Sequence, residues 1–165
     1  MKKFFALFCA VLLVFTSTIT LGNNKKVFAE SAPALSGFSI VGFTDDEILD
    51  KYGRNNYVYY DASYASQVSL HGSNIYIVTE QIGYGNSAAY YIDGDYYGHG
   101  RTVNSIALEK NNIAYGFMNM DEIDNLKPGK HTIKVICTSE NPVRQGTTLV
   151  YPTLSDTITL TVETQ

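Results

Sequence analysis

The stretch HTIKVICT, His131 to Thr138, places Ile133, Val135 and Cys137 on one side and turns Thr132 and Lys134 to the other. Successive side chains of a strand point to opposite faces, so this period of two describes a strand with one buried face. The same pattern recurs outward from it. Asn74 to Gln81 (NIYIVTEQ) sets Ile75, Ile77 and Thr79 against Tyr76, Val78 and Glu80, and Thr157 to Glu163 (TITLTVE) alternates Ile158, Leu160 and Val162 with threonines. Gly37 to Phe43 (GFSIVGF) also reads as a strand. Turn signals at Gly83 to Gly85, Asp93-Gly94, Asn111-Asn112 and Pro128-Gly129 separate the runs. Many short strands with regular turns predict an all-β sandwich or barrel. One helix signal interrupts them, Thr44 to Gly53. Thr44 and Glu47 have capping-box spacing, Phe43 and Ile48 sit where a hydrophobic staple closes, and Gly53 supplies the stop. At about two turns this helix must be held by packing rather than by propensity.

The chain begins with Lys2-Lys3, an apolar run from Phe4 to Phe15, and Val27-Phe28-Ala29 before Glu30. That order is the order of a secretory signal peptide, with the cut expected after Ala29. The run alone is shorter than the ~20 residues a bilayer needs; extended to Leu21 it would make a marginal retained anchor, so both outcomes stay open. Cleavage removes Lys2, Lys3, Lys25 and Lys26 from 12 basic residues, leaving eight against 16 acidic ones, a formal charge of −8. An acidic chain with no basic stripe is a poor partner for nucleic acid. Cleavage also removes Cys9, so Cys137 stands alone and the exported chain must be stable without an internal disulfide. The expected organisation is a signal peptide over 1–29, an N-terminal extension over 30–67 with its helix at 44–52 packed on the domain, and a sandwich over 68–165.

The strand leading into YYIDGDYYG, the strand IAYGFMNM, the run LKPGKHTIKVICTSENP and the terminal TITLTVE resemble the immunoglobulin-like antiparallel β-sandwich domains of exported bacterial proteins. The resemblance covers about residues 68 to 165, and its most specific piece is Leu126 to Val135. The chain departs from the antibody type in having no tryptophan, no cysteine pair and no tyrosine two places before Cys137. Such domains share no catalytic residues, so the resemblance implies a fold and no activity.

Asp93-Gly94 between alternating runs predicts a type I′ hairpin, with Ile92 facing Asp95, Tyr91 facing Tyr96 and Tyr90 facing Tyr97. One tyrosine pair should enter the core. The other should lie outside, either as plain cross-strand packing or as a flat aromatic platform for a sugar ring or a partner loop. The same end of the sandwich is expected to carry Asp93, Asp95, Asp121, Glu122 and Asp124, a solvated acidic rim in preference to a calcium site. No metal or other cofactor is expected. The opposite end should gather Tyr84 and Asn86 from the Gln81–Ser87 loop, His99 and Arg101 from the next connection, and Arg144 and Tyr151 from the long Ser139–Ser155 loop. These six are the candidate binding residues, because loops longer than about 12 residues are uncommon without a task; the alternative is that the long loop pairs with itself as a hairpin.

Catalytic signatures are missing. His71, His99 and His131 are scattered without metal-ligand spacing, no GxSxG occurs, and Cys137 alternates with core residues as an inert thiol would. The expected function is a secreted, non-catalytic binding or accessory module, extracellular or loosely attached to the cell wall, with a protein or glycan partner and no membrane insertion after cleavage. A small extracellular hydrolase and a secreted inhibitor or toxin-like factor remain the alternatives.

Overall fold

Alternating β-branched and aromatic residues condense into two five-stranded sheets that share one apolar interior. The computed structural model describes residues 32–163, and the signal-peptide reading of residues 1–29, with Cys9, lies outside them. Sheet 1 runs in the order β2 (Tyr60–Asp61), β1 (Gly37–Asp45), β4 (Ile75–Ile82), β8 (Ile113–Ile123), β7 (Arg101–Lys110). Sheet 2 runs β3 (Ser69–His71), β12 (Thr153–Glu163), β9 (Gly129–Thr138), β5 (Ala89–Ile92), β6 (Asp95–His99). Neighbours are antiparallel except β12 with β3. The all-β architecture expected from the turn spacing is therefore present. Among the described residues no helix is long and apolar enough to cross a membrane.

The β9 alternation reads true in three dimensions: Ile133, Val135 and Cys137 are buried while Thr132 and Lys134 face solvent. Ile133 and Val135 join Ile40, Phe43, Ile75, Ile77 and Ile123 of sheet 1, with Tyr90, Ile158, Leu160 and Val162 completing the layer. In β4, by contrast, Tyr76 and Val78 on the second face are as buried as Ile75 and Ile77. Their cover is α1 (Asp46–Tyr52) with Tyr57 and Tyr59, which pack Leu49, Tyr76, Val78 and Met120 into a second small core. Tyr59 lies so close over Gly42 that a Cβ there would meet its ring.

Three local expectations change. The segment before residue 68 is not an appendage, since β1 pairs with β4 from Gly37↔Ile82 to Asp45↔Ile75. The cap of α1 is Asp45 rather than Thr44: Asp45 Oδ1 accepts from Ile48 N at 3.0 Å and Oδ2 from His71 N at 2.9 Å, while Gly53 stops the helix as expected. Thr44 instead points into the protein, and its Oγ1 has no partner among the described residues. The hairpin turn has positive φ at Asp93 and Gly94, and Ile92 and Tyr91 face Asp95 and Tyr96. A bulge then intervenes, so Tyr90 faces Gly98, not Tyr97. An extra residue in one strand of a pair bends it and breaks the two-residue alternation.

Candidate functional site

The loop-end residues do not converge. Tyr84 and Asn86 sit at the base of the long loop: Tyr84 O accepts from Glu140 N at 3.0 Å, and Asn86 N donates to Thr138 O at 2.8 Å. The Tyr84 ring meets Phe117 edge-on at 5.2 Å. The loop itself folds into a small hairpin of β10 (Val143–Gln145) and β11 (Thr148–Val150), closed at its base by Ser139 N donating to Pro152 O. Arg144 is carried out along that hairpin and Tyr151 returns at its foot, both exposed. Arg101 lies elsewhere. Its register partner Glu122 faces Tyr76, six residues along β4 from Ile82, about 20 Å at ~3.3 Å per residue. Its guanidinium is paired with Glu122. His99, exposed, hydrogen-bonds through Nδ1 with Ala88 O and belongs to sheet 2 opposite Ala89.

The outer face of sheet 2 holds an open groove of about 510 Å³ lined by Tyr91, Gly94, Thr132, Lys134, Ile136 and Thr157. Register explains it. Thr157, Lys134, Tyr91 and Tyr96 form one row across four strands, and Ser155, Ile136, Ala89 and His99 form the next. Alternation sends all of these away from the core, and among the described residues no helix covers this face. The Tyr91 and Tyr96 rings stand 5.3 Å apart with their planes inclined by 57°. The outer tyrosine pair is therefore present, but as a tilted wall rather than a flat platform. Tyr96 is 60 % exposed. A tyrosine face, threonine hydroxyls and one ammonium offer apolar stacking and hydrogen bonding side by side.

A second concavity opens between the sheets, about 200 Å³, lined by Phe38, Thr79, Gln81, Gly85, Asn86, Ser87, Ala88, Thr102, Asn119, Asp121 and Glu140. It exists because the inner face of sheet 1 changes character along its length. Its rows read Ile75 with Ile123, Ile77 with Asp121, Thr79 with Asn119, and Gln81 with Phe117. One end of the interior is dry and the other polar. Asp121 accepts hydrogen bonds from Tyr90 Oη at 2.7 Å and Thr102 Oγ1 at 2.6 Å, and burial raises its pKa above the usual 3.8. Tyr90 is pushed well above 10, by burial first and by Asp121 second. The sequence signal for this cleft was available in the alternation of β4, where Thr79 and then Gln81 follow Ile75 and Ile77 on the inward side.

The remaining titratable groups are engaged one by one. Asp93 accepts from Thr132 N and pairs with His131 Nδ1 at 2.7 Å, while His131 Nε2 contacts Lys127 O at 2.7 Å. Both imidazole nitrogens are thus occupied, which leaves His131 no free lone pair with which to act as a base. Asp124 accepts from Tyr97 Oη at 2.6 Å. Of the five carboxylates expected at one end, Asp121 bonds to Tyr90, Glu122 pairs with Arg101 and Asp124 takes Tyr97, and among the described residues no group of three or more His, Cys, Asp or Glu is placed to hold a metal ion. Burial pushes the Cys137 thiol up to about 11, and its sulfur rests 3.3 Å from Asn86 O. A thiol that stays protonated at neutral pH is a poor nucleophile.

A family model described as a domain of unknown function, DUF4879, matches residues 29–151. The chain belongs to the DUF4879 family. No curated protein and no solved structure matches it. Every residue lining the cleft between the sheets, from Phe38 to Glu140, falls within the matched DUF4879 span, as do Tyr91, Tyr96 and Lys134 of the outer groove. Strand β12, which contributes Thr157 to the groove and closes the core through Ile158, Leu160 and Val162, follows the end of that span.

Proposed function

We propose that this protein is an exported, non-catalytic binding module on an immunoglobulin-like sandwich, which takes a glycan of the cell envelope or extracellular space against the outer face of sheet 2. The observation that carries the reading is the groove beside Tyr91 and Tyr96. Ligand sites combine apolar walls with a few placed polar groups, and a pyranose ring has the same division: an apolar C–H face that stacks on an aromatic ring and a hydroxyl rim that bonds to Thr132, Thr157 and Lys134. Two antiparallel sheets packed face to face support the immunoglobulin-like assignment, and the charged, apolar, small-residue order of residues 1–29 supports export. The engagement of both His131 ring nitrogens and the protonated Cys137 thiol favour binding over hydrolysis.

The test is titration of the purified exported chain with envelope polysaccharides and short oligosaccharides, alongside Tyr96→Ala and Tyr91→Ala. Tyr96 is largely solvent-exposed, so its truncation should leave the fold intact and weaken binding tenfold or more, about 1.4 kcal/mol. Equal capture by wild type and both variants would overturn the groove assignment; capture of proteins alone would replace the glycan; release of reducing ends would replace binding with hydrolysis. Export is tested by the mature N terminus, expected at Glu30, in culture medium. Retention of residues 1–29 on a membrane-bound product would overturn the secreted reading.

A further inference from the structure

We propose that the polar cleft between the two sheets is a second ligand site, separate from the outer groove, for a small polar molecule that carries a cationic amine. Its wall contains two carboxylates, Asp121 at depth and Glu140 at the mouth, and no lysine or arginine. The nearest guanidinium, Arg101, is committed to Glu122. An acidic cleft by itself is no site, but here the side chains around the acids retain bonding capacity. Gln81 is 6 % exposed and Thr79 only 1 %. The Gln81 Oε1 faces the Cys137 thiol at 3.6 Å, yet no acceptor among the described residues pairs with its Nε2, and the Thr79 hydroxyl has no partner there either. Both line the cleft rather than being sealed away, and among the described residues the fully enclosed side-chain polar atom without a partner is Thr44 Oγ1. Both groups therefore look into the cleft. Burying polar groups this deep without partners costs free energy that a solute or ordered solvent must offset.

The donors and acceptors define the solute. Each Asp121 oxygen already accepts one hydroxyl and has a lone pair left, and so does Asn119 Oδ1, which accepts from Ser105 Oγ at 2.7 Å. An ammonium group, with three donors and one positive charge, matches that set. The Gln81 Nε2 is a donor and calls for an acceptor, so the ligand also bears a hydroxyl or carbonyl one or two bonds from its amine. A bare metal ion would meet the Gln81 N–H groups and only two carboxylates, against the six to eight oxygens calcium takes. At about 200 Å³ the cleft has room for roughly six waters at ~30 Å³ each, the size of an amino alcohol or an amino-acid amide. A cation beside Asp121 offsets the burial that raises its pKa, so binding should strengthen as pH rises through the Asp121 titration.

The experiment is protein-observed NMR titration and calorimetry of the full exported chain with ethanolamine and glycinamide, against their neutral counterparts ethylene glycol and acetamide, and against calcium chloride. Saturable binding of the amines, at least tenfold tighter than the neutral molecules and centred on the Gln81 and Asn119 side-chain amides, is the expected result. Glu140→Gln should weaken it severalfold, and Ser87→Phe, a bulky group on the exposed rim, should block it. The Tyr91→Ala, Tyr96→Ala double variant should bind the amines as wild type does, which separates this site from the glycan groove whatever becomes of that reading. No saturable shift with either amine, equal binding of the neutral molecules, response to calcium alone, or wild-type binding by Ser87→Phe would each overturn the proposal.

Discussion

A Cβ at Gly85 would fall inside the van der Waals envelope of Cys137 Sγ, so the only side chain that position tolerates without movement is a hydrogen atom. Gly85→Ala should therefore lower stability by about 1–3 kcal/mol, the usual penalty for overpacking an occupied interior, measured by urea denaturation. The clash names its own rescue: Gly85→Ala combined with Cys137→Ala should recover more than half of the loss, and failure to do so would place the strain elsewhere. Thr44 presents the opposite defect. Its hydroxyl is fully buried and, among the described residues, unpartnered. Val has the same shape and no hydroxyl, so Thr44→Val should raise stability by about 1 kcal/mol, the smaller end of what an unsatisfied buried hydroxyl costs.

At the scale of an element, α1 is too short to persist alone, and Asp45 ties it down from both sides by capping Ile48 N and holding His71 N of β3. Asp45→Ala removes both bonds and should cost about 2–3 kcal/mol, one for the cap and the rest for the bond across to the second sheet. With Thr44→Val changing stability in the other direction, the pair decides which residue starts the helix. A loss on Thr44→Val as large as that on Asp45→Ala would return the cap to Thr44. The capping-box spacing Thr44–Glu47 pointed one residue early because Thr44 and Asp45, both paired to β4, turn their side chains to opposite faces of β1, and it is the Asp45 carboxylate that reaches Ile48 N and His71 N. Elements with one covered face, such as β9, were legible because burial and alternation coincide. Strand β4 was half legible, since nothing local to it says that α1, Tyr57 and Tyr59 close over its second face. The bulge at Tyr97 and the hairpin inside the long loop are local pairings, Tyr90↔Gly98 and Val143↔Val150, whose register the two-residue alternation alone does not specify. The outer tyrosine pair could be read from Asp93-Gly94 alone, whereas the cleft needed the knowledge that Thr79, Asn119 and Asp121 lie side by side on neighbouring strands.

Across the whole molecule the two sheets are joined by polar ties at their margins as well as by the shared core. Asp156 Oδ2 accepts from Ile40 N at 2.8 Å, Tyr90 donates to Asp121, and Tyr97 of sheet 2 donates to Asp124 just beyond β8 of sheet 1. Near that last tie, Asp93 holds Thr132 N and His131. These groups make stability depend on pH with a definite sign. Asp93, through Thr132 N and then His131, and Asp124, through Tyr97, have pKa values lowered below 3.8 in the folded chain, so what they contribute is present above 3.8 and is lost as pH falls through the folded values. For His131 burial acts downward, but the Lys127 carbonyl and Asp93 outweigh it and raise the pKa above 6.5, so its contribution is complete below 6.5 and disappears as pH rises through the folded value. Taken together these groups make thermal stability fall on the acid side and decline gently above 6.5. Between about 3.8 and 6.5 it is not flat, because Asp121, whose pKa burial raises above 3.8, acts in the opposite sense to Asp93 and Asp124 and lowers stability as pH rises through its folded value. His131→Gln should flatten the upper slope while leaving the acid limb from Asp124 in place, and Asp93→Asn should flatten the upper slope and soften the acid one. Melting curves of the three proteins from pH 3 to 9 provide the check; a wild-type upper slope that persists in His131→Gln would locate the titration outside the hairpin.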